Sequence, residues 1–296
     1  MIFITTSNGV YLLRHGALEA EVVMTRKHTP GLFKRKASGY FGISHHQPSG
    51  GILVASREKL GTPAVDKPST DTKLHLIDPD TLKYQTVATV MDVHDVHQIA
   101  SDGDLVFLTD TGKNRVHVYD LVNQRTRLII NIGDQRTDIH HLNALHICDS
   151  QLHIGLNNRG NMESAILNIP MSLIYETEEA TIDGMHVGQL KTLKGIHHTH
   201  DIEPYGDDYI CSASHSGFVF RASNCEPIIN LDNWVRGLCS DRDGIWVGTS
   251  PLASRSERHS EKLRSCIIQY SHETFQQIQS IDLHGSGQVN DLLSLE

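Results

Sequence analysis

Four segments of the chain repeat one pattern, and this repeat constrains the fold more than any other feature of the sequence. Each segment has a short apolar stretch, a turn rich in Asp or Gly, and a second, strongly apolar stretch. Alternating or short continuous apolar stretches joined by Asp-Gly or Asp-Ser turns are typical of antiparallel β-sheet rather than helix. The segments are VHQIASDGDLVFLTD (96–110), LNALHICDSQLHIGL (142–156), HDIEPYGDDYICSAS (200–214) and RGLCSDRDGIWVGTS (236–250).

Two further units complete the series. FGISHHQPSGGILVAS (41–56) fits the same register, and the last unit is split between the two ends of the chain. The C-terminal QVNDLLSLE reads as the first strand of that unit, and the N-terminal MIFITTSNGVYLLRHGALEAEVVM supplies the other three. Six units of roughly 50 residues predict an all-β, six-bladed β-propeller with four-stranded antiparallel blades. We expect one domain over residues 1–296, in which 1–26 and 286–296 form the closing blade.

A β-sandwich or two barrels would be the alternative to a propeller, but neither explains the matching split ends. The segment Pro170–Gly184 falls outside the repeat. We expect it to leave the face opposite the histidines described below, as a short helix or an oligomer contact.

The amino-acid sequence of the repeat also resembles known families. TDTGKNRVHVYDL (109–121) is similar to the strand-turn-strand of streptogramin-lyase and NHL-type six-bladed propellers. HTHDIEPYGDDYICSASHSG (198–217) and VRGLCSDRDGIWVGTSPLASR (235–255) resemble a group of uncharacterised bacterial propeller proteins. The resemblance implies the propeller fold. The resemblance does not extend to WD-repeat proteins. The metal ligands of the lyase and gluconolactonase-like relatives cannot be matched residue by residue to this sequence, so no catalytic residue is carried over.

Charge and composition restrict the partners. A net charge of −9 argues against nucleic acid or an anionic membrane as the main partner, because such binding needs a dominant basic field. The chain has no apolar run long enough to span a membrane and no secretory leader at its start, so we expect a cytoplasmic location. The five cysteines form no CxxC pair, which indicates reduced thiols. The unusual number is 20 histidines.

Propeller geometry brings these histidines together. The residues just before the first strand of every blade meet at the top of the central channel, and we expect two sets of equivalent positions there. Residues two apart on an extended chain share one side. The first set is Phe41, His97, Asn143, His200, Arg236 and Asn290, and the second is Gly39, Asp95, His141, His198, Trp234 and Gln288. A histidine-rich arc therefore spans three consecutive blades.

This arc predicts a metal site. Neutral imidazoles from separate elements bind divalent Fe, Zn, Cu or Mn and leave an open coordination position. We expect His97, His141 and His200 as ligands, with His198 or His94 as a fourth, and Asp95 as a ligand or as an acceptor for an imidazole N–H. The alternative is structural: histidine-aspartate pairs at the start of inner strands also bond loop backbone or line a water-filled channel.

The opposite arc predicts a small anionic ligand. Arg236 lies near the channel, and the loops of the same face gather further basic residues, so a carboxylate or phosphate could be held bidentately. The loop residues are Arg26, Lys27, Lys34, Arg35, Lys36, Arg57, Arg159, Arg255 and Arg258. The candidate substrate-binding residues are Asn143, Arg236, Trp234, Phe41 and His215, and the candidate catalytic residues are Asp95, Arg236 and Asn290.

Three functional hypotheses follow. In the first, the histidines hold a metal that acts on a small anionic substrate by hydrolysis, elimination or oxygen activation. In the second, the propeller is a non-catalytic module whose top face recognises a small ligand or a partner protein. In the third, His200 acts as a base without metal and Arg236 clamps the anion. The sequence leaves the oligomeric state open, and a homo-oligomer is compatible with all three.

Overall fold

Short apolar strands joined by tight turns make up almost all regular structure. The computed structural model describes residues 1–25, 39–57, 70–93, 95–254 and 257–295. Two short helices, α1 (Met171–Glu176) and α2 (Gly184–Val187), interrupt the strands, and no helix in these ranges is long and apolar enough to cross a membrane. The strands are β1 (Ile2–Thr6), β2 (Gly9–Leu13), β3 (Glu21–Thr25), β4 (Tyr40–His46), β5 (Gly51–Arg57), β6 (Thr70–Ile77), β7 (Tyr84–Val93), β8 (Ile99–Asp102), β9 (Leu105–Asp110), β10 (Arg115–Asp120), β11 (Arg125–Asn131), β12 (Leu142–Cys148), β13 (Gln151–Leu156), β14 (Ala165–Pro170), β15 (Thr181–Asp183), β16 (Gln189–Thr192), β17 (Thr199–Tyr205), β18 (Asp208–Ala213), β19 (Phe218–Arg221), β20 (Pro227–Asn230), β21 (Trp234–Asp241), β22 (Gly244–Ser250), β23 (Ser265–Tyr270), β24 (Gln277–Leu283) and β25 (Val289–Ser294).

These strands form six sheets, which confirms the predicted six-bladed β-propeller. In chain order the blades are blade one (β4–β7), blade two (β8–β11), blade three (β12–β14 with β16), blade four (β17–β20), blade five (β21–β24) and the closing blade (β25 with β1–β3). The first strand of every blade contacts the first strands of its two neighbours, so the six first strands form a ring around the central channel.

The closing blade joins the two ends of the chain as the repeat predicted. β25 is its innermost strand and pairs antiparallel with β1, with Ile4 opposite Leu292. The N-terminal ammonium donates a hydrogen bond of 2.8 Å to the carbonyl of Leu295, and the amide of Leu295 donates to the carbonyl of Met1. The pairing covers two strand edges that would otherwise be exposed, and it closes the ring.

The hydrophobic core is divided among the interfaces between blades. Within the described residues, six clusters of buried apolar side chains lie one in each interface. In the interface between blades one and two, Leu53 and Val90 pack in the same cluster as Val106 and Leu108, and all four are fully buried. Each blade is apolar on both faces and therefore needs both neighbours, as expected of a stacked repeat.

The segment Pro170–Gly184 contains the expected short helix, α1, and then returns to a neighbouring blade. β15 pairs in parallel with β11 of blade two, with Ile182 opposite Ile130. The hydroxyl of Tyr175 also donates a hydrogen bond to the carboxylate of Asp102. The segment thus covers the outer edge of blade two as a fifth strand and ties blade three to it.

Candidate functional site

β-Bulges place side chains at the top of the channel. In four first strands the register of pairing shifts within the first residues, between Tyr40 and Ile43, Leu142 and Ala144, Thr199 and Ile202, and Val235 and Leu238, and β25 has a similar shift. A bulge adds an unpaired residue and re-aims its side chain. The residues in these shifts include Phe41, Asn143, His200, Arg236 and Asn290, which are the equivalent positions that the repeat predicted.

Three residues have left-handed backbone, and each lies two positions before His97, Asn143 or His200. The φ angles are +73° at Asp95, +49° at His141 and +60° at His198. Residues with a Cβ adopt this region at a cost of roughly 1–2 kcal/mol each, and such strain clusters at functional sites. The three residues occupy equivalent positions in blades two, three and four, so the same backbone turn brings three polar side chains to the channel mouth.

A layer of polar side chains closes the channel below the bulges. The side-chain amide of Gln98 donates to the carboxylates of Asp201 at 3.1 Å and Asp291 at 3.2 Å, and its carbonyl oxygen accepts from the backbone of Leu145 at 2.7 Å. Burial, and then the charge of Asp201, raise the pKa of Asp291 well above its usual range. The layer forms a floor between the two ends of the channel.

A cavity of about 200 Å³, here called the main cavity, opens above this floor. The rings of His97 and His141 have centroids 5.2 Å apart, and those of His97 and His200 are 5.8 Å apart. His198 stacks on His215 at 4.4 Å. The described residues that line the cavity include no Asp or Glu, and they are His97, His141, Asn143, Asn157, Arg159, His198, His200, Ser214, His215, Arg236 and Arg258.

Carboxylates orient two of the imidazoles. Nδ1 of His141 lies 2.8 Å from a carboxylate oxygen of Asp138, and Nδ1 of His200 lies 3.3 Å from one of Asp201. A carboxylate only accepts hydrogen bonds, so each Nδ1 carries the proton and Nε2 of the neutral ring is an acceptor. The hydroxyl of Ser212 donates to the other oxygen of Asp201, which fixes that carboxylate in turn.

Burial keeps several of these histidines neutral. Burial, followed by the charges of His141 and Arg57, holds the pKa of His97 well below its usual range. Burial and then Arg236 lower the pKa of His200. Burial lowers the pKa of His215 to about 4, and it lowers that of His198 as well. Neutral rings offer lone pairs that protonated rings lack.

Arginines surround the neutral rings. The guanidinium of Arg236 lies 4.9 Å from the ring centre of Trp234, and that of Arg258 lies 4.5 Å from the same ring. Arg159 approaches the carboxylate of Asp138 at 3.3 Å. The stacked guanidiniums bring positive charge to a wall of the cavity.

A second, smaller cavity of about 30 Å³, here called the side cavity, adjoins the main one. His97, Arg236 and Arg258 line both cavities. Asp95 forms an ion pair with Arg57, whose guanidinium lies 3.5 Å from the ring centre of Phe41. The full lining is Ser7, Phe41, Arg57, Asp95, His97, Arg236, Arg258, His259, Gln288 and Asn290.

The predicted site residues fall into these two cavities, with two exceptions. His97, His141, His198, His200, Asn143, Arg236 and His215 line the main cavity, and Phe41, Asp95 and Asn290 line the side cavity. Trp234 lies behind Arg236 and Arg258 rather than in a cavity wall. His94 lies outside the described residues, as do the basic loop residues Arg26, Lys27, Lys34, Arg35, Lys36 and Arg255. Within the described part of the chain, no group of three or more His, Cys, Asp or Glu side chains is placed to hold a metal ion.

Sequence reasoning missed Ser214, Asn157 and Gln98, and it placed Gln288 at the channel top without giving it a role in the site. Ser214 and Asn157 line the main cavity from links between second and third strands, and Gln288 lines the side cavity. Gln98 holds the floor. The repeat register could have found Gln98 as well, because it follows His97 directly.

A third cavity, here called the lower cavity, lies below the floor and measures about 310 Å³. Its lining includes Gln98 and Asp291 from beneath, and also Glu203. Glu203 therefore belongs to the opposite end of the channel from the histidines. Its carboxylate accepts hydrogen bonds from the backbone amide and hydroxyl of Ser240 at 3.0 and 3.1 Å.

Comparisons with known proteins identify the fold. No protein-family model matches the chain, and no curated protein matches it. Among solved structures, a chain of a nidogen/laminin complex matches with a TM-score of 0.64 at 9% identity, covering 98% of this chain and 96% of that one. A protein of unknown function from Bacteroides caccae matches with a TM-score of 0.61 at 10% identity, covering 98% and 97%.

A third solved structure, from Bacteroides uniformis, is named as a putative 6-phosphogluconolactonase. It matches with a TM-score of 0.56 at 12% identity, covering 95% of this chain and 82% of that one. Identities this low carry the architecture and no residue of a site. The chain is a six-bladed β-propeller, and its function has to be argued from the two cavities above the floor.

Proposed function

We propose that the top of the channel binds a small anionic molecule in the main cavity and the side cavity that adjoins it. Three arginines and five histidines line the main cavity, and none of its described lining residues is acidic. The protein as a whole carries a net charge of −9, so the concentration of arginine here departs from the rest of the molecule. Arginine holds carboxylate and phosphate groups through paired N–H donors.

Buried polar atoms that lack a partner carry this proposal. Among the described residues, both ring nitrogens of His97, Nε2 of His200, Oδ1 of Asn143 and the hydroxyl of Ser214 accept or donate no hydrogen bond. All of these residues line the main cavity. Native proteins pair the large majority of such atoms, and leaving one unpaired costs roughly 1–3 kcal/mol. A bound molecule would supply the missing partners at one place.

The same histidines supply chemistry for an enzyme. His200 and His141 each have Nδ1 directed at a carboxylate and Nε2 left as an acceptor, which is the arrangement of a general base. The proton that Nε2 removes would come from a molecule whose anionic group Arg236 holds. Asp201 would stabilise the resulting imidazolium of His200 without moving.

The test is binding of simple anions by titration calorimetry. We expect acetate, oxalate or inorganic phosphate to bind the native protein, and Arg236→Gln to raise the dissociation constant of the tightest by about tenfold, the loss of one charged hydrogen bond. Arg221→Gln is the matched control, because Arg221 stacks on Tyr205 at 5.2 Å, away from both upper cavities. Equal affinity in the two variants, or no anion binding by the native protein, would refute the proposal.

A second candidate is a divalent transition metal on His97, His141 and His200. Carboxylate-oriented imidazoles with Nε2 left over are what metal sites use. Imidazoles on one tetrahedral ion have ring centres about 5 Å apart, given a metal–nitrogen distance of about 2.1 Å, and the rings of His141 and His200 lie 5.2 and 5.8 Å from that of His97. These side chains would have to rotate, since as they stand no described group of three is placed to hold an ion.

Elemental analysis of the purified protein tests this candidate. We expect near-stoichiometric metal in the native protein and none in the double variant His97→Ala/His200→Ala. His45→Ala/His146→Ala, which removes two histidines of the lower cavity, is the control and should keep its metal. Absence of Fe, Zn, Cu and Mn after growth in supplemented medium would contradict the metal hypothesis and leave the anion site in place.

A further inference from the structure

Buried hydrogen-bond donors and acceptors without a partner lie in both cavities at the top of the channel. On the side-cavity wall, the side-chain amide nitrogen of Gln288 is a donor, and this residue is 1% exposed with no partner for that nitrogen in the described chain. In the main cavity, Oδ1 of Asn143 and Nε2 of His200 are acceptors, and the residues are 2% and 1% exposed. An unpartnered amide donor therefore lies in the side cavity, and two unpartnered acceptors lie in the main cavity beside the hydroxyl of Ser214, which can donate or accept.

Size separates the two ends further. Arg236 and Arg258 line both cavities, and the side cavity adds the ion pair of Arg57 with Asp95. Its volume of about 30 Å³ corresponds to roughly two water molecules, which is the room that the two oxygens of a carboxylate require. A phosphate group has four oxygens in a tetrahedron and exceeds this space.

The main cavity needs groups that donate hydrogen bonds. Nε2 of His200, Nε2 of His141 and Oδ1 of Asn143 all accept. Hydroxyl and ammonium groups both donate, but an ammonium would lie among three arginines and be repelled. Hydroxyl groups satisfy the acceptors without that cost.

His97 stands at the junction of the two cavities. A neutral imidazole has one N–H donor and one acceptor nitrogen. Neither nitrogen of His97 makes a hydrogen bond among the described residues, and Nε2 lies 3.8 Å from the carboxylate of Asp95. The ring can therefore donate to a carboxylate on one side while it accepts from a hydroxyl group on the other.

We propose that the ligand of this site is a small hydroxylated carboxylate, whose carboxylate enters the side cavity and whose hydroxyl groups face His141, Asn143 and His200. This proposal rests on the anion-binding function proposed above and names its ligand class.

A matched series of four-carbon probes tests the proposal by titration calorimetry on the native protein. L-Threonate carries both groups, butyrate only the carboxylate, threitol only the hydroxyls, and erythritol 4-phosphate replaces the carboxylate by a phosphate. We expect threonate to bind at least about tenfold more tightly than each of the other three, since it alone makes both kinds of hydrogen bond.

Two variants test which cavity holds the carboxylate and which holds the hydroxyl groups. Gln288→Leu should weaken threonate and butyrate by about tenfold each, and Asn143→Leu should weaken threonate by about tenfold while leaving butyrate unchanged. Gln276→Leu, an exposed glutamine outside both upper cavities, is the control and should change neither. Thermal unfolding of the unliganded variants checks that they fold, and the probe series on the native protein decides the proposal even where a variant does not.

The outcomes separate the ligand class from the anion site. If butyrate binds as tightly as threonate, or erythritol 4-phosphate binds most tightly, the hydroxy-carboxylate proposal is wrong and the anion site stands. If none of the probes and none of the simple anions binds, both proposals are wrong.

Discussion

Replacing Glu203 by Gln should remove one contribution to the loss of stability that the native protein undergoes as the pH rises. Glu203 lies on β17 and faces the lower cavity. Burial raises the pKa of its carboxyl group from 4.5 to about 7, the two hydrogen bonds from Ser240 oppose that rise, and the charge of Asp201 adds to it. The amide of a glutamine can still accept both hydrogen bonds from Ser240 but cannot ionise.

The sign and size follow from the pKa. Because the folded state binds the proton of Glu203 more tightly than the unfolded state, this stabilisation is fully present below pH 4.5 and is lost as the pH rises to about 7. The pKa difference of 7 − 4.5 = 2.5 corresponds to about 3 kcal/mol at 1.36 kcal/mol for each pKa unit. Asp291 has a raised pKa and acts in the same direction, but it is present in both proteins and cancels in the difference.

The measurement is urea unfolding of the native protein and Glu203→Gln between pH 5 and pH 8. We expect the variant to gain about 2.5 kcal/mol relative to the native protein across this range, with most of the gain below pH 7, because the first part of the effect is already lost at pH 5. Glu273→Gln, which changes an exposed carboxyl group, is the control. Stability curves that stay parallel for the native protein and Glu203→Gln would refute the burial argument.

Two further substitutions test the backbone strain and the floor. At His198, where φ is +60°, the free energy of unfolding of the Gly variant should exceed that of the Ala variant by about 1 kcal/mol. At His197, which has ordinary φ, the Ala variant should be the more stable of the two. Denaturant unfolding measures both pairs, and the same order of stability at both sites would contradict the backbone strain at His198. Gln98→Leu leaves the carboxylates of Asp201 and Asp291 without their shared donor and should cost about 3 kcal/mol by the same assay, so a loss below about 1 kcal/mol would show that the floor is not held by that amide.

The fold could be predicted from the sequence because its signals are local and repeated. Alternating apolar stretches and Asp-rich turns set each hairpin, and the split last unit set the closure between β25 and β1. The segment Pro170–Gly184 was predictable only in part. Its helix has a local signal, but the pairing of Ile182 with Ile130 of blade two depends on a distant strand edge that no local pattern shows.

The candidate site was predictable as a set of positions and not as a geometry. Equivalence within the repeat placed His97, His141 and His200 together. The ring centre of His97 does lie 5.2 Å from that of His141 and 5.8 Å from that of His200. The direction of each ring depends on the bulges and on carboxylates outside the repeat register. Asp138, which orients His141, lies in the connection that precedes β12, and the repeat gives it no equivalent.

The residues of the floor depart from the repeat in a regular way, because the residue type alternates from blade to blade. The position directly after His97 and its equivalents in the other five blades is polar in alternate blades and small in the blades between them: Gln98, Asp201 and Asp291 against Gly42, Ala144 and Gly237. A Cβ on Gly42 would come within 2.6 Å of the backbone Cα of Gln98, so glycine at this position lets the first strands of blades one and two approach closely. Three side chains then suffice to close the channel. Gln98, Asp201 and Asp291 therefore lie between the main cavity and the lower cavity. The charge of Glu203 acts on Asp201, and the carboxylate of Asp201 in turn orients His200 in the main cavity.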